Sequence, residues 1–258
     1  STTWGTGVAD EYTFPSMFAT KNNVSVKNFG ESGYIARQSL AYLINQSVSS
    51  NDPKTLENVH VIFYDGVNDI SMRCRTEIEG LGTGREAQIR GLIKWNRPEK
   101  YSFESTFSQL TDVIRVATER LGISSYLSGK RQAESFFSCA NNVDRANEIA
   151  ESLVATWEET ASYIESKGAK FTAILQPVSF FGNADFSYLN LNTKFDQQLA
   201  LQYKVVYPII KRLMEEKSLN FIDLTSVYDG CDNCYIDYCH VGPQGHEILV
   251  KKLSELIL

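Results

Sequence analysis

Histidine is scarce in this chain, with three among 258 residues. A proton-transfer base working near neutral pH is most often histidine, so few positions can hold one. Positive charge is also not in excess: 25 basic residues face 31 acidic ones, a formal charge of −6 spread without long runs. That balance leaves no electrostatic footprint for nucleic acid or an anionic membrane surface, and small or neutral ligands are expected instead. No apolar run approaches the roughly 18 to 20 residues that span a bilayer, so no membrane insertion by this segment is expected. Internal repeats, low-complexity tracts and linkers are lacking as well. The five cysteines, Cys74, Cys139, Cys231, Cys234 and Cys239, are odd in number, which leaves at least one thiol unpaired if the rest form disulfides.

What is present reads as alternating strand and helix. Runs rich in β-branched and aromatic residues at 24–28, 59–64, 170–175 and 219–224 suit buried parallel strands. Helical periodicity covers 36–48, 106–121, 143–167, 192–217 and 243–258, and a further helix begins near Pro15. A length of 258 residues and 43% hydrophobic content suit one α/β domain with a mostly parallel sheet, whose ligands would sit at the carboxyl ends of the strands. Residues 71–140 are longer than an ordinary crossover and contain Gly80, Gly82 and Gly84, so they read as a lid-like insertion or a surface elaboration.

Of the histidines, His60 begins a predicted strand and His246 lies inside the last helix, whereas His240 sits in a loop three residues after Asp237. In Tyr235-Ile236-Asp237-Tyr238-Cys239-His240 that spacing lets a carboxylate reach the imidazole Nδ1 proton and leaves Nε2 free for a nucleophile. Isolated, the same pattern is as well explained by a helix-start Asp beside a surface His. Tyr64-Asp65-Gly66-Val67-Asn68-Asp69 follows a predicted strand directly. There Gly66 can take angles closed to other residues, the Asn68 amide can donate to an oxyanion, and Asp69 holds the loop, although an ordinary Asn/Gly turn reads the same way. Asn28-Phe29-Gly30-Glu31-Ser32-Gly33 leads into the next helix, and Gly33, near that helix start, offers a backbone N–H where the helix dipole favours negative charge, although an ordinary strand-to-helix turn reads the same way. The opening Ser1-Thr2-Thr3-Trp4-Gly5 gains meaning only if the fold sets Ser1 beside His240, since a serine hydroxyl is a weak nucleophile without a base. Gln176, at a strand end, is a candidate pocket-lining residue.

In this order the four segments resemble the SGNH or GDSL-like serine hydrolases. Their nucleophile block often continues from its serine as Ser1-Thr2-Thr3-Trp4-Gly5 does here; their N-x-x-x-S-G glycine matches Gly33, their G-x-N-D asparagine Asn68, and their D-x-x-H pair Asp237 and His240. The resemblance implies a three-layer α/β/α flavodoxin-like fold and ester hydrolysis through an acyl-serine, without metal or organic cofactor. It casts Ser1 as nucleophile, Asp237 and His240 as its base pair, and Gly33, Asn68 and the Ser1 N–H as oxyanion donors. Relatives with a Y-D-G-x-N-D block are bacterial and envelope-associated and are linked with acyl groups on carbohydrates, so a small-molecule or carbohydrate ester is the expected substrate. The family's first strand would precede Ser1, and upstream residues are therefore expected in the native protein.

Rival readings use the same residues. An acyltransferase would share the acyl-serine, and a carbohydrate-binding relative without activity would keep the fold and cleft. A flavin or nucleotide binder would want a glycine-rich loop after the first strand. Cys231-Asp232-Asn233-Cys234 with Cys239 and His240 superficially resembles a zinc ligand set, against which stand a loop disulfide or free thiols.

Overall fold

A computed structural model describes residues 1–49, 56–78, 80, 82, 135–217 and 219–257. The chain divides into two compact units, Ser1–Leu81 with Phe137–Leu258, and Gly82–Phe136. The predicted helix at 106–121 and most of the lid-like insertion lie outside the described residues.

Among the described residues that unit is α/β, with three parallel strands and six α-helices. The strands are β1 (His60–Asp65), β2 (Lys170–Leu175) and β3 (Phe221–Asp223), in the order β1-β2-β3. β1 and β2 pair from His60 with Lys170 to Asp65 with Leu175, so both end at the same level. β2 is central and buried from Phe171 to Leu175, which accounts for its mostly apolar sequence, and its one buried polar side chain, Thr172, is hydrogen-bonded to His60 and Asn220. The helices are α1 (Phe14–Asn22), α2 (Ala36–Ser49), α3 (Val67–Arg73), α4 (Val143–Glu165), α5 (Lys194–Lys217) and α6 (Pro243–Ile257).

Helix limits follow local chemistry. Thr13 caps α1 by accepting from the Ser16 N–H, and Asn142 caps α4 by accepting from the Arg145 N–H. α6 begins on Pro243, which has no N–H to leave unpaired in a first turn. In α4 the buried Ala146, Ile149, Ala150, Leu153, Val154, Trp157, Ala161 and Ile164 recur at three- and four-residue spacing, one apolar stripe turned to the core.

The expected strand at 24–28 does not form. Those residues lie outside any strand, and Val24 and Val26 are exposed. β-branched composition suits a pleated surface, but a strand exists only where a neighbour accepts its ladder hydrogen bonds, and β1 pairs only with β2 among the described residues. The strand expected over 219–224 is shorter for a similar reason: β2 offers pairing only from Ala173 to Leu175.

Two disulfides, Cys74–Cys139 and Cys231–Cys234, leave Cys239 as a buried free thiol. A zinc set built on Cys231 and Cys234 is thereby ruled out, since both sulfurs are joined to each other.

Candidate active site

The site gathers where β1 and β2 end. His240 is carried on a narrow hairpin in which the Ile236 N–H donates to the His240 carbonyl at 2.9 Å and the Gly242 N–H to the Cys234 carbonyl at 2.9 Å. Tyr188 braces one arm, its hydroxyl donating to the Tyr235 carbonyl at 2.8 Å and accepting from the Tyr235 N–H at 2.9 Å. Within the tip the Asp237 carboxylate closes a compact turn, for its Oδ1 accepts from the N–H groups of Cys239 and His240, both at 2.8 Å.

The same carboxylate orients the ring. With its proton on Nδ1, His240 donates to Asp237 Oδ2 at 2.6 Å, and Nε2 accepts from the Ser1 hydroxyl at 2.7 Å. Ser1, His240 and Asp237 therefore form one hydrogen-bonded line between residues 239 positions apart. Burial pushes the Asp237 carboxyl upward, but the bonds from His240 and the two N–H groups outweigh it and hold the group below its ordinary range. The imidazole is 14% exposed and the carboxylate 43%. The other two histidines are committed elsewhere: His60 Nε2 is 2.8 Å from Thr172 Oγ1, and His246 donates from Nδ1 to the Tyr12 carbonyl at 2.6 Å.

Ser1 opens a tight turn in which the Gly5 and Thr6 N–H groups donate to its carbonyl at 3.0 and 3.2 Å. The loop before α2 lies against this turn. Asn28 Nδ2 donates to the Thr3 carbonyl at 2.7 Å, and a Cβ on Gly30 would stand 2.5 Å from the Trp4 nitrogen, a contact only glycine tolerates. The Ser1 nitrogen donates to the Glu31 carbonyl at 2.9 Å. Further along, the Tyr34 carbonyl accepts from the Asn68 amide at 2.9 Å. Gly33, with φ +74°, falls between those two attachments, so the loop that carries it is tied to Ser1 at one side and to Asn68 at the other. One proton of the Asn68 amide is engaged by Tyr34, leaving a second for another acceptor.

Asn68 owes its place to Gly66, which leads from β1 into α3 with φ +115°. A Cβ there would meet Leu175 Cδ1 at 2.7 Å. Asp69, buried one position beyond, accepts from the Ala36 N–H at 3.1 Å and so caps α2, while Arg73 donates to its other oxygen at 3.5 Å. Asp69 thus holds the loop.

Asp65 is a site neighbour that sequence reasoning missed. It accepts from Trp157 Nε1 at 3.3 Å, and burial, with the negative charge of Asp69, raises its carboxyl to about 7. The available signal was its position: an acid ending a buried strand at the sheet edge where ligands bind.

Cys239 stands behind the ring, its Sγ 3.6 Å from His240 Nδ1, and burial pushes its thiol well up. Asp237, Cys239 and His240 together offer three donor atoms within 4.8 Å of one another, the set nearest to a metal site among the described residues. The 2.6 Å between Nδ1 and Oδ2 suits a shared proton, however. Ligands each about 2.0 to 2.3 Å from a tetrahedral zinc stand more than about 3 Å apart, so a cation would have to open that pair.

No protein-family model matches the chain, and no curated protein matches it.

Proposed function

We propose that this chain is a serine hydrolase of the SGNH kind that cleaves carboxylic esters through an acyl-serine. The observation that carries the reading is the line from Ser1 Oγ to His240 Nε2 to Asp237, with contacts of 2.7 and 2.6 Å. In it each group has the partner its role requires: the nucleophile donates to a base, and the base is oriented by a carboxylate.

The reaction runs as follows. Ser1 Oγ attacks the ester carbonyl while its proton passes to His240 Nε2, and the imidazolium formed is stabilised by Asp237. The oxyanion of the tetrahedral intermediate is held by the Gly33 N–H and the free proton of the Asn68 amide. Collapse breaks the ester C–O bond, and His240 returns the proton to the leaving alcohol. Water, deprotonated by His240, then attacks the acyl-serine, releasing the acid and restoring the Ser1 hydroxyl.

The parallel sheet with the site at its strand ends suits the three-layer flavodoxin-like arrangement of that family. Two disulfides suit an oxidising compartment such as the bacterial envelope. No described helix is long and apolar enough to cross a membrane. The substrate class that goes with this reading is a small-molecule or carbohydrate ester.

The test is a fluorophosphonate, which traps activated serines. One adduct on Ser1 by intact mass and peptide mapping, lost in His240→Ala, is the expected result. Absence of an adduct from the wild-type chain would overturn the hydrolase reading.

A further inference from the structure

The line from Ser1 to His240 joins two segments that come from opposite ends of the chain, and neither holds the other in register by itself. The Asp237–His240 turn is closed on itself through Asp237, and the Ser1 turn is closed through the Ser1 carbonyl. Something outside both must set their separation, since proton transfer requires the 2.7 Å contact to persist.

Gln176 has the position and the chemistry for this. It follows β2 directly and is 6% exposed. Its backbone is fixed on both sides: the N–H donates to the Asp65 carbonyl at 2.9 Å, extending the β1–β2 ladder by one rung, and the carbonyl accepts from the buried Tyr207 hydroxyl at 2.6 Å. From this anchored backbone the side-chain amide reaches into the site. Nε2 donates to Thr2 Oγ1 at 2.7 Å and to the Cys239 carbonyl at 3.4 Å. Thr2 follows Ser1 in sequence and is itself 5% exposed; Cys239 precedes His240. The two protons of one amide group are thus spent on the two halves of the dyad, one residue from each.

We infer that Gln176 is the positioning residue that locks the nucleophile turn to the histidine turn, holding Ser1 Oγ and His240 Nε2 at hydrogen-bond distance without touching substrate. This rests on the hydrolase reading for its catalytic consequence, but the geometric part stands alone. The arrangement carries a specific signature. Because Asp237 and His240 move as one unit, loss of Gln176 displaces that unit from Ser1 without loosening the Asp237–His240 bond. Turnover falls while the Asp237–His240 bond persists.

The experiment compares wild type with Gln176→Leu, Thr2→Val, Thr2→Ser and the Gln176→Leu/Thr2→Val double variant, on p-nitrophenyl acetate and in the rate of fluorophosphonate labelling. Gln176→Leu should lower kcat and the labelling rate about thirtyfold, the order expected for losing two neutral hydrogen bonds, with KM within about twofold. Thr2→Val keeps the side-chain shape and should lose about fivefold, Thr2→Ser should retain wild-type rates, and the double variant should match Gln176→Leu alone, because the Thr2 leg acts through Gln176. Labelling of Gln176→Leu within about threefold of wild type, a KM raised as much as kcat falls, or strictly multiplicative losses in the double variant would overturn the inference. Proton and nitrogen-15 NMR of the His240 imidazole decide the geometric part even if the wild-type chain takes no label, an outcome that would remove only the hydrolase reading. Thr2→Val and Gln176→Leu should both keep the downfield Nδ1 proton bonded to Asp237 while Nε2 shifts toward a water-exposed signal. An unchanged Nε2 in both would sink the inference.

Discussion

Replacing Asp237 by Asn tests the most specific consequence of the site geometry. The carboxylate makes three bonds, to His240 Nδ1 at 2.6 Å and to the N–H groups of Cys239 and His240 at 2.8 Å each. An Asn side chain keeps an oxygen for the two N–H groups, so the turn survives. Its NH2 then faces Nδ1 and favours the tautomer that accepts there, which places the ring proton on Nε2, opposite the Ser1 hydroxyl that Nε2 deprotonates in the proposed reaction. Reversing the tautomer costs about 1 to 2 kcal/mol, on the scale of one neutral hydrogen bond. Losing the charge-assisted bond to the imidazolium costs a further 1.5 to 3 kcal/mol, roughly, and the 43% exposure of the carboxylate argues for the lower half of that range. Together these come to about 3.4 kcal/mol, roughly three-hundredfold in rate. The assay is kcat on p-nitrophenyl acetate at pH 8, with circular dichroism to show that the turn and fold persist. A loss of less than tenfold with the fold intact would refute the assignment of Asp237 as the orienting group.

Other consequences can be measured directly. His240→Ala should lower kcat on the same ester by at least about a thousandfold, because the base itself is removed. Asp65, raised to about 7 in the folded chain against an ordinary 3.8, binds its proton more tightly folded than unfolded. Its stabilising effect is therefore complete below about pH 4 and is lost as pH rises through 7. Thermal melts should show Asp65→Asn gaining on wild type across that window, by an upper bound of about 4 kcal/mol, and parallel melting curves at pH 4.5 and 8 would contradict the shift. Gly66→Ala should cost at least about 2 kcal/mol in denaturant unfolding, since the positive φ and the contact with Leu175 both oppose a Cβ. Replacing both Cys74 and Cys139 by Ala opens a loop of 65 residues and should cost about 4 kcal/mol on chain-entropy grounds, read as a lower midpoint in urea.

Legibility from sequence tracked how local each interaction is. The Asp237–His240 pair was visible because a three-residue spacing on a turn is enough to bring a carboxylate to Nδ1. β2 was visible at its true limits, since burial on both faces leaves a short, mostly apolar run. The segment 24–28 has strand composition and yet forms none, because pairing depends on what lies alongside and not on the segment itself. An odd cysteine count required a free thiol, but only the fold chose Cys239 and joined Cys74 to Cys139 across the intervening residues.

By itself, then, the sequence determined the α/β class, the one histidine set in a loop three residues after a carboxylate, and the glycine-marked turns that carry Gly33 and Asn68. These rest on hydrophobic period, glycine conformations and contacts a few residues apart, all of which are written locally. Tertiary structure alone decided that Ser1 meets His240, that Trp157 donates to Asp65, and that Gln176 ties Thr2 to Cys239. Those contacts span tens to hundreds of residues, and only the packing of elements around β2 brings their ends within a hydrogen bond's length.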